Sequence, residues 1–140
     1  MKGSDLGSRF LLDTNICIYI RQNRPDSLLR RFDKLRPGEA AISVITYGEL
    51  MFGAHKSLQS TSALVRLRDF AVFVPALPLP EFAAETYGKI RADLQARGEM
   101  IGNNDLWIAA HALCSNLTLV TNNEREFRRV KNLKIENWAA

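Results

Sequence analysis

The sequence predicts an α/β protein, a three-layer α/β/α sandwich on a mainly parallel sheet of four or five strands. Short apolar runs at Phe10–Leu12, Ala40–Ser43 and 117–120 are too brief for helices and suit strands buried on both faces. The stretches between them carry apolar residues at helical spacing, and strands alternating with helices point to a parallel sheet covered on both sides. At 140 residues, 46% hydrophobic and 24% charged, the chain forms one globular domain that buries roughly 68% of its unfolded surface. No repeat, low-complexity stretch or long linker divides it.

Each element has its own signal. Residues 1–8 are rich in Gly and Ser and lack periodicity, so 1–9 is expected to be a flexible leader and 10–138 the domain. After the strand at Phe10–Leu12, a helix follows from Thr14. Pro25-Asp26-Ser27 starts a second helix, in which Leu28, Leu29, Phe32 and Leu35 recur at helical spacing until Pro37-Gly38 stops it. Ala40–Ser43 is the second strand, and 44–57 a helix with Val44, Tyr47, Met51 and Ala54 along one face. A helix at 62–70 is expected to lead into a third strand at 72–74. Pro78-Leu79-Pro80 introduces a long helix that Gly98 ends. Asn103 or Asn104 is expected to cap the next helix, which turns Leu106, Ala110 and Leu113 inwards. A fourth strand at 117–120 and a short edge strand at 134–136 complete the sheet.

The net charge of +4 mildly favours a polyanionic partner. Arg30, Arg31, Lys34 and Arg36 crowd one segment, and Arg125, Arg128, Arg129, Lys131 and Lys134 another. Each cluster holds a single aromatic residue, Phe32 or Phe127, too few to indicate base stacking. No apolar run approaches the ~18 residues that span a bilayer. Cys17 and Cys114 lack metal-site spacing and read as small hydrophobes in a reducing cytoplasm.

Three acids stand in apolar contexts: Asp13 in Phe10-Leu11-Leu12-Asp13-Thr14-Asn15, Glu49 in Ile45-Thr46-Tyr47-Gly48-Glu49-Leu50, and Asp105 in Ile101-Gly102-Asn103-Asn104-Asp105-Leu106-Trp107. A buried charge must be compensated or neutralised. Three of them on separate segments are served most simply by one shared divalent cation. Asp13 directly follows the first strand, and Thr121-Asn122-Asn123 follows the fourth, at the carboxyl ends where open parallel sheets bind ligands. Asp105 lies in the first turn of its helix, where free N–H groups favour a carboxylate. Glu49 is mid-helix between Ile45 and Phe52, on a face expected to point inwards. Taken singly, each acid has a structural reading: a first-turn Asp, or for Glu49 a buried ion pair with an arginine.

The chain resembles the PIN-domain ribonucleases, most closely the VapC toxins of bacterial toxin–antitoxin pairs, over nearly all of 10–138. The landmarks are Leu12-Asp13-Thr14-Asn15-Ile16-Cys17-Ile18-Tyr19, Gly48-Glu49-Leu50 continuing to Gly53, Ile101 to His111, and Thr121-Asn122-Asn123 with Glu126-Phe127. The resemblance implies that Asp13, Glu49 and Asp105 gather around Mg²⁺ or Mn²⁺, with Asp13 and Asp105 the direct ligands. Thr14, Asn15 and Thr121 are then orienting neighbours. It implies cleavage of RNA, with structured RNA such as transfer RNA as substrate, a homodimer, and a VapB-type antitoxin that covers the acidic site. Many PIN domains carry a fourth acid after the fourth strand. Here Asn123 occupies that place, with Glu126 near enough to substitute, which leaves open one ion or two.

Other classes fit worse. A haloacid-dehalogenase-type phosphatase wants a second Asp where Asn15 stands. A receiver domain wants adjacent acids after the first strand and a late Lys. A metal-independent ribonuclease needs histidines, and His55 and His111 each lie six residues beyond an acid, turned about 120° from it on a helix. A PIN scaffold that binds RNA or a partner without cutting is the remaining alternative.

Overall fold

The structure, a computed structural model, describes residues 7–140. The leader expected over 1–9 lies mostly outside them. Of its last residues, Ser8 donates through Oγ to the Gly38 carbonyl at 2.8 Å and Arg9 pairs with Glu39 at 2.8 Å. The chain then runs β1 (Phe10–Leu12), α1 (Thr14–Arg21), α2 (Asp26–Asp33), β2 (Ala40–Ser43), α3 (Val44–Lys56), α4 (Ser60–Phe73) and β3 (Ala76–Leu77). It continues through α5 (Ala83–Arg97), α6 (Asn103–Cys114), β4 (Thr118–Val120), α7 (Glu124–Phe127) and β5 (Ile135–Glu136).

All five strands are parallel, in the order β3-β2-β1-β4-β5. Period-two alternation sorts the strand side chains into two cores. Phe10, Leu12, Ala40, Ile42 and Val120 face one side, with Ile16, Leu28, Leu50 and Leu67 from α1 to α4. Leu11, Ala41 and Leu119 face the other, with Leu94, Leu106 and Phe127 from α5 to α7. The three layers follow from that division. The chain leaves β1 towards β2 and β3, then crosses back to β4. The boundary between β1 and β4 is therefore the sheet's switch point, where a crevice opens beyond the strand ends.

Two elements differ from expectation. The helix placed at 62–70 extends to Phe73, and the strand at 72–74 does not form. A strand would put Val72 and Val74 on one face, yet Val72 is 81% exposed and Val74 is fully buried. The helical period through Ala63, Leu67 and Val74 overrides the β-branched composition. Pro75 then ends the helix, its carbonyl accepts the Ile42 N–H at 2.9 Å, and β3 begins at Ala76. The second difference is the start of α6: Gly102 holds the N-cap position and no side chain caps the helix. Gly98 closes α5 as expected. It takes φ +68°, with its own N–H bonded to the Gln95 carbonyl and that of Glu99 to Leu94, a pattern that favours a residue without Cβ.

Candidate active site

β1 and β4 place the first acid. Leu12 pairs with Val120, so the residues after each strand stand side by side in the crevice, and the Asp13 N–H donates to the Val120 carbonyl at 3.0 Å. Asp13 is the N-cap of α1 and is 5% exposed. Its Oδ1 accepts the Ile16 N–H at 2.9 Å and its Oδ2 accepts the Thr121 hydroxyl at 2.5 Å. Burial raises its pKa most strongly; the two hydrogen bonds oppose the rise and the charge of Glu49 adds to it. Asn15 faces solvent on the first turn of α1.

β2 runs into α3 without a loop, and the Ser43 hydroxyl caps the new helix by accepting the Ile45 N–H at 3.1 Å. Glu49 follows in the second turn. The face it shares is not the buried one expected: Thr46, Leu50 and Ala54 point into the core, whereas Phe52 is 66% exposed. Glu49 is half-buried on the wall of a cavity of about 570 Å³ lined by Val44, Ile45, Gly48, Phe52 and Asn104. Both of its oxygens are engaged: Oε1 accepts from the Thr14 hydroxyl and Oε2 from the Asn104 amide at 3.1 Å.

Asp105 is the third residue of α6 and is half-buried. Burial first, then the charges of Asp13, Glu126 and Glu49, push its pKa up to about 6. The four acids therefore share one electrostatic neighbourhood drawn from β1, α3, α6 and α7. Asn123 follows β4 and bonds to two neighbours there. Its N–H donates to Thr121 Oγ1 at 2.9 Å and its side-chain amide to Glu126 Oε1 at 3.1 Å, so it holds Glu126 at the rim.

Among the described residues, no Lys or Arg forms an ion pair with this cluster: none of the ion pairs includes Asp13, Glu49, Asp105 or Glu126, so the arginine partner considered for Glu49 is not found. Within the basic segments, Arg31 pairs with Glu136, Arg128 with Glu124 and Lys131 with Asp93. His55 is exposed, and His111 is buried in the core, 1% exposed. Neither joins the acids.

Among the described residues no three His, Cys, Asp or Glu side chains converge closely enough to ligate one ion as they stand. Mg²⁺ asks for less than that. It keeps several waters and is usually held by one or two carboxylates. Asp13 and Asp105, both disfavoured as free anions, would supply two hard oxygen donors. The chemistry of the set fits. Sequence reasoning had no signal for Asn104 as a partner of Glu49, because the contact joins helices 55 residues apart.

Comparison with known proteins identifies the family. The PIN domain family model matches residues 10–133. The chain belongs to the PIN-domain family, in its VapC ribonuclease toxin branch. Ribonuclease VapC2 of Rickettsia felis is 41% identical over 133 residues, 92% of this chain and 97% of that protein. The tRNA(fMet)-specific endonuclease VapC of Shigella flexneri is 41% identical over 131 residues, 94% and 98% of the two chains. Among solved structures, VapBC-1 from nontypeable Haemophilus influenzae superposes with a TM-score of 0.87 at 39% identity, covering 94% of this chain and 98% of that one. No described helix is long and apolar enough to cross a membrane.

Proposed function

We propose that this PIN domain is a Mg²⁺- or Mn²⁺-dependent endoribonuclease that cuts structured RNA, transfer RNA first among candidates, and so halts translation in the cytoplasm. The observation that carries the reading is the mutual proximity of Asp13, Glu49, Asp105 and Glu126 at the switch point, with none of the ion pairs among the described residues reaching them. Asp13 and Asp105 would hold the divalent ion, and Thr121 and the Ile16 N–H fix Asp13 in place for that task. When bound, the ion acidifies water and neutralises charge on phosphate and leaving oxygen. Glu49, with each oxygen keeping a free lone pair, orients the attacking water by accepting its hydrogen. Water's oxygen bonds to phosphorus and gives up a proton, one backbone P–O bond breaks, and the departing oxygen takes up a proton, so the step is proton-neutral overall. Glu126, steadied by Asn123, stands in for the fourth acid of the wider family.

The protein is further read as a homodimer silenced by a small antitoxin whose C-terminal segment covers the acids with an Arg or Lys. Support comes from the uncompensated negative site in a net basic chain, and from the VapBC complexes among its structural relatives. Phe82, 61% exposed, and Phe52 offer apolar surface for such contacts.

The test is cleavage of purified transfer RNA at pH 7 and pH 5, with Mg²⁺ and with EDTA. Cleavage is expected at pH 7 with Mg²⁺ and none in EDTA. Asp105, with its pKa near 6, binds a proton below that pH, so activity at limiting Mg²⁺ should fall at pH 5 and return as pH rises through 6. Equal cleavage in EDTA would refute the reading, and RNA binding without cutting would favour the non-cleaving scaffold.

A further inference from the structure

Glu49 is the one acid of the cluster whose two oxygens are each held by a side chain from a different helix. Thr14, at the start of α1, donates to Oε1, and Asn104, at the start of α6, donates to Oε2 at 3.1 Å. A Glu side chain has three rotatable bonds, and this one rises from the second turn of α3 into an open cavity. Packing does not lock it there, since its neighbour Phe52 is largely exposed and Gly48 has nothing within 4 Å of an added Cβ. Its direction is therefore set by its hydrogen bonds. The amide of Asn104 must present nitrogen to Glu49, because an ionised carboxylate only accepts.

Asn104 is free for this work because α6 does not use it as a cap. Gly102 is the N-cap, and the neighbouring Asn103 points to Tyr87, whose hydroxyl donates to it. The Tyr87 ring lies against Trp107 with centroids 3.8 Å apart and planes 15° apart, which fixes the first turn of α6 against α5. The residue next to Asn104 in the chain is Asp105. One helix turn thus supplies a proposed cation ligand and, beside it, the donor that aims the carboxylate on α3.

We propose that Asn104 is a positioning residue that holds Glu49 in the orientation needed to engage the waters of the bound cation. The proposal rests on the reading of the acids as a divalent-cation site. It assigns Asn104 no contact with RNA and no contact with the ion.

A double-mutant cycle on Mn²⁺ affinity, followed by calorimetry, tests it. Asn104→Leu removes the donor at similar volume, and Asn104→Asp keeps the shape while replacing the donor with a second acceptor. Asn104 is exposed, so both variants should melt within a few degrees of the wild type. Asn104→Leu should weaken Mn²⁺ binding about tenfold, the lower end for a residue that orients a metal-site group, whereas the charge added by Asn104→Asp attracts the cation and should offset part of its loss of the donor. In a Glu49→Gln background the same Asn104→Leu change should have no further effect, because the group it orients is already disabled. Cleavage assays should show kcat reduced and KM for RNA unchanged. Three results overturn the proposal: wild-type Mn²⁺ affinity in Asn104→Leu, an equal loss with and without Glu49, or a change confined to KM. Those outcomes leave the cation reading intact. Failure of the wild type itself to bind Mn²⁺ would overturn that reading, and this proposal with it.

Discussion

Asp13→Asn is expected to lower RNA cleavage by more than about 100-fold while leaving the fold in place. The substitution is informative because Asp13 has two roles that Asn separates. As the N-cap of α1 it accepts the Ile16 N–H, and Asn caps a helix about as well as Asp. Its other oxygen receives the Thr121 hydroxyl, and a hydroxyl can turn from donor to acceptor to meet an amide. Shape and hydrogen bonding therefore survive. What disappears is a buried negative charge, disfavoured by desolvation and by Glu49. Without a cation the Asp13→Asn variant should be no less stable than the wild type, since an unfavourable charge has been removed. Loss of a proposed direct ligand should exceed the roughly 10–100-fold cost of losing an outer partner such as Thr121. Single-turnover cleavage and thermal melting, measured side by side, check both halves. Wild-type cleavage by this variant would reduce Asp13 to a helix cap.

Phe127→Ala should cost about 3–5 kcal/mol of unfolding free energy, a large share of the roughly 5–15 typical of a domain. Phe127 is 1% exposed and is among the largest fully buried side chains. It anchors α7, an element of only 4 residues whose own hydrogen bonds cannot sustain it. Beneath the sheet it packs with Leu119, Leu106 and Val130, so truncation leaves a cavity that backbone strands cannot fill. The neighbouring residue is Glu126, held at the rim by Asn123. Loosening α7 should therefore weaken activity as well as stability. Urea unfolding measures the effect as a lower midpoint at unchanged slope. A loss below about 1 kcal/mol would mean that the site's fourth wall does not depend on this anchor.

The parts of this protein that were legible in the sequence are those governed by short-range pattern. The runs that became β1 and β4 are each followed at once by a polar residue at the crevice, Asp13 and Thr121, while β2 itself ends on Ser43. Asp13 and Thr121 could be placed at strand ends for that reason alone. Gly98 announced the end of α5 because only a residue tolerant of positive φ suits that position. The residues at 72–74 misled because Val and Phe favour strands locally, whereas the burial of Leu67 and Val74 is decided by a core assembled from distant segments. Glu49 was recognised as an acid out of place, but its surroundings were not. Thr14 could be named as an orienting residue only through family resemblance, and Asn104 not at all. Both contacts depend on how α1, α3 and α6 meet, and no local rule carries that information.

The central claim is that Asp13 and Asp105 together hold a divalent cation at the switch point of the sheet. Anomalous scattering from crystals of the protein grown with Mn²⁺ tests it most directly. The account predicts a peak in contact with the carboxylates of Asp13 and Asp105, absent from crystals of Asp13→Asn. A peak that persists in that variant, or Mn²⁺ found only at other carboxylates such as Asp93 or Glu124, would contradict it.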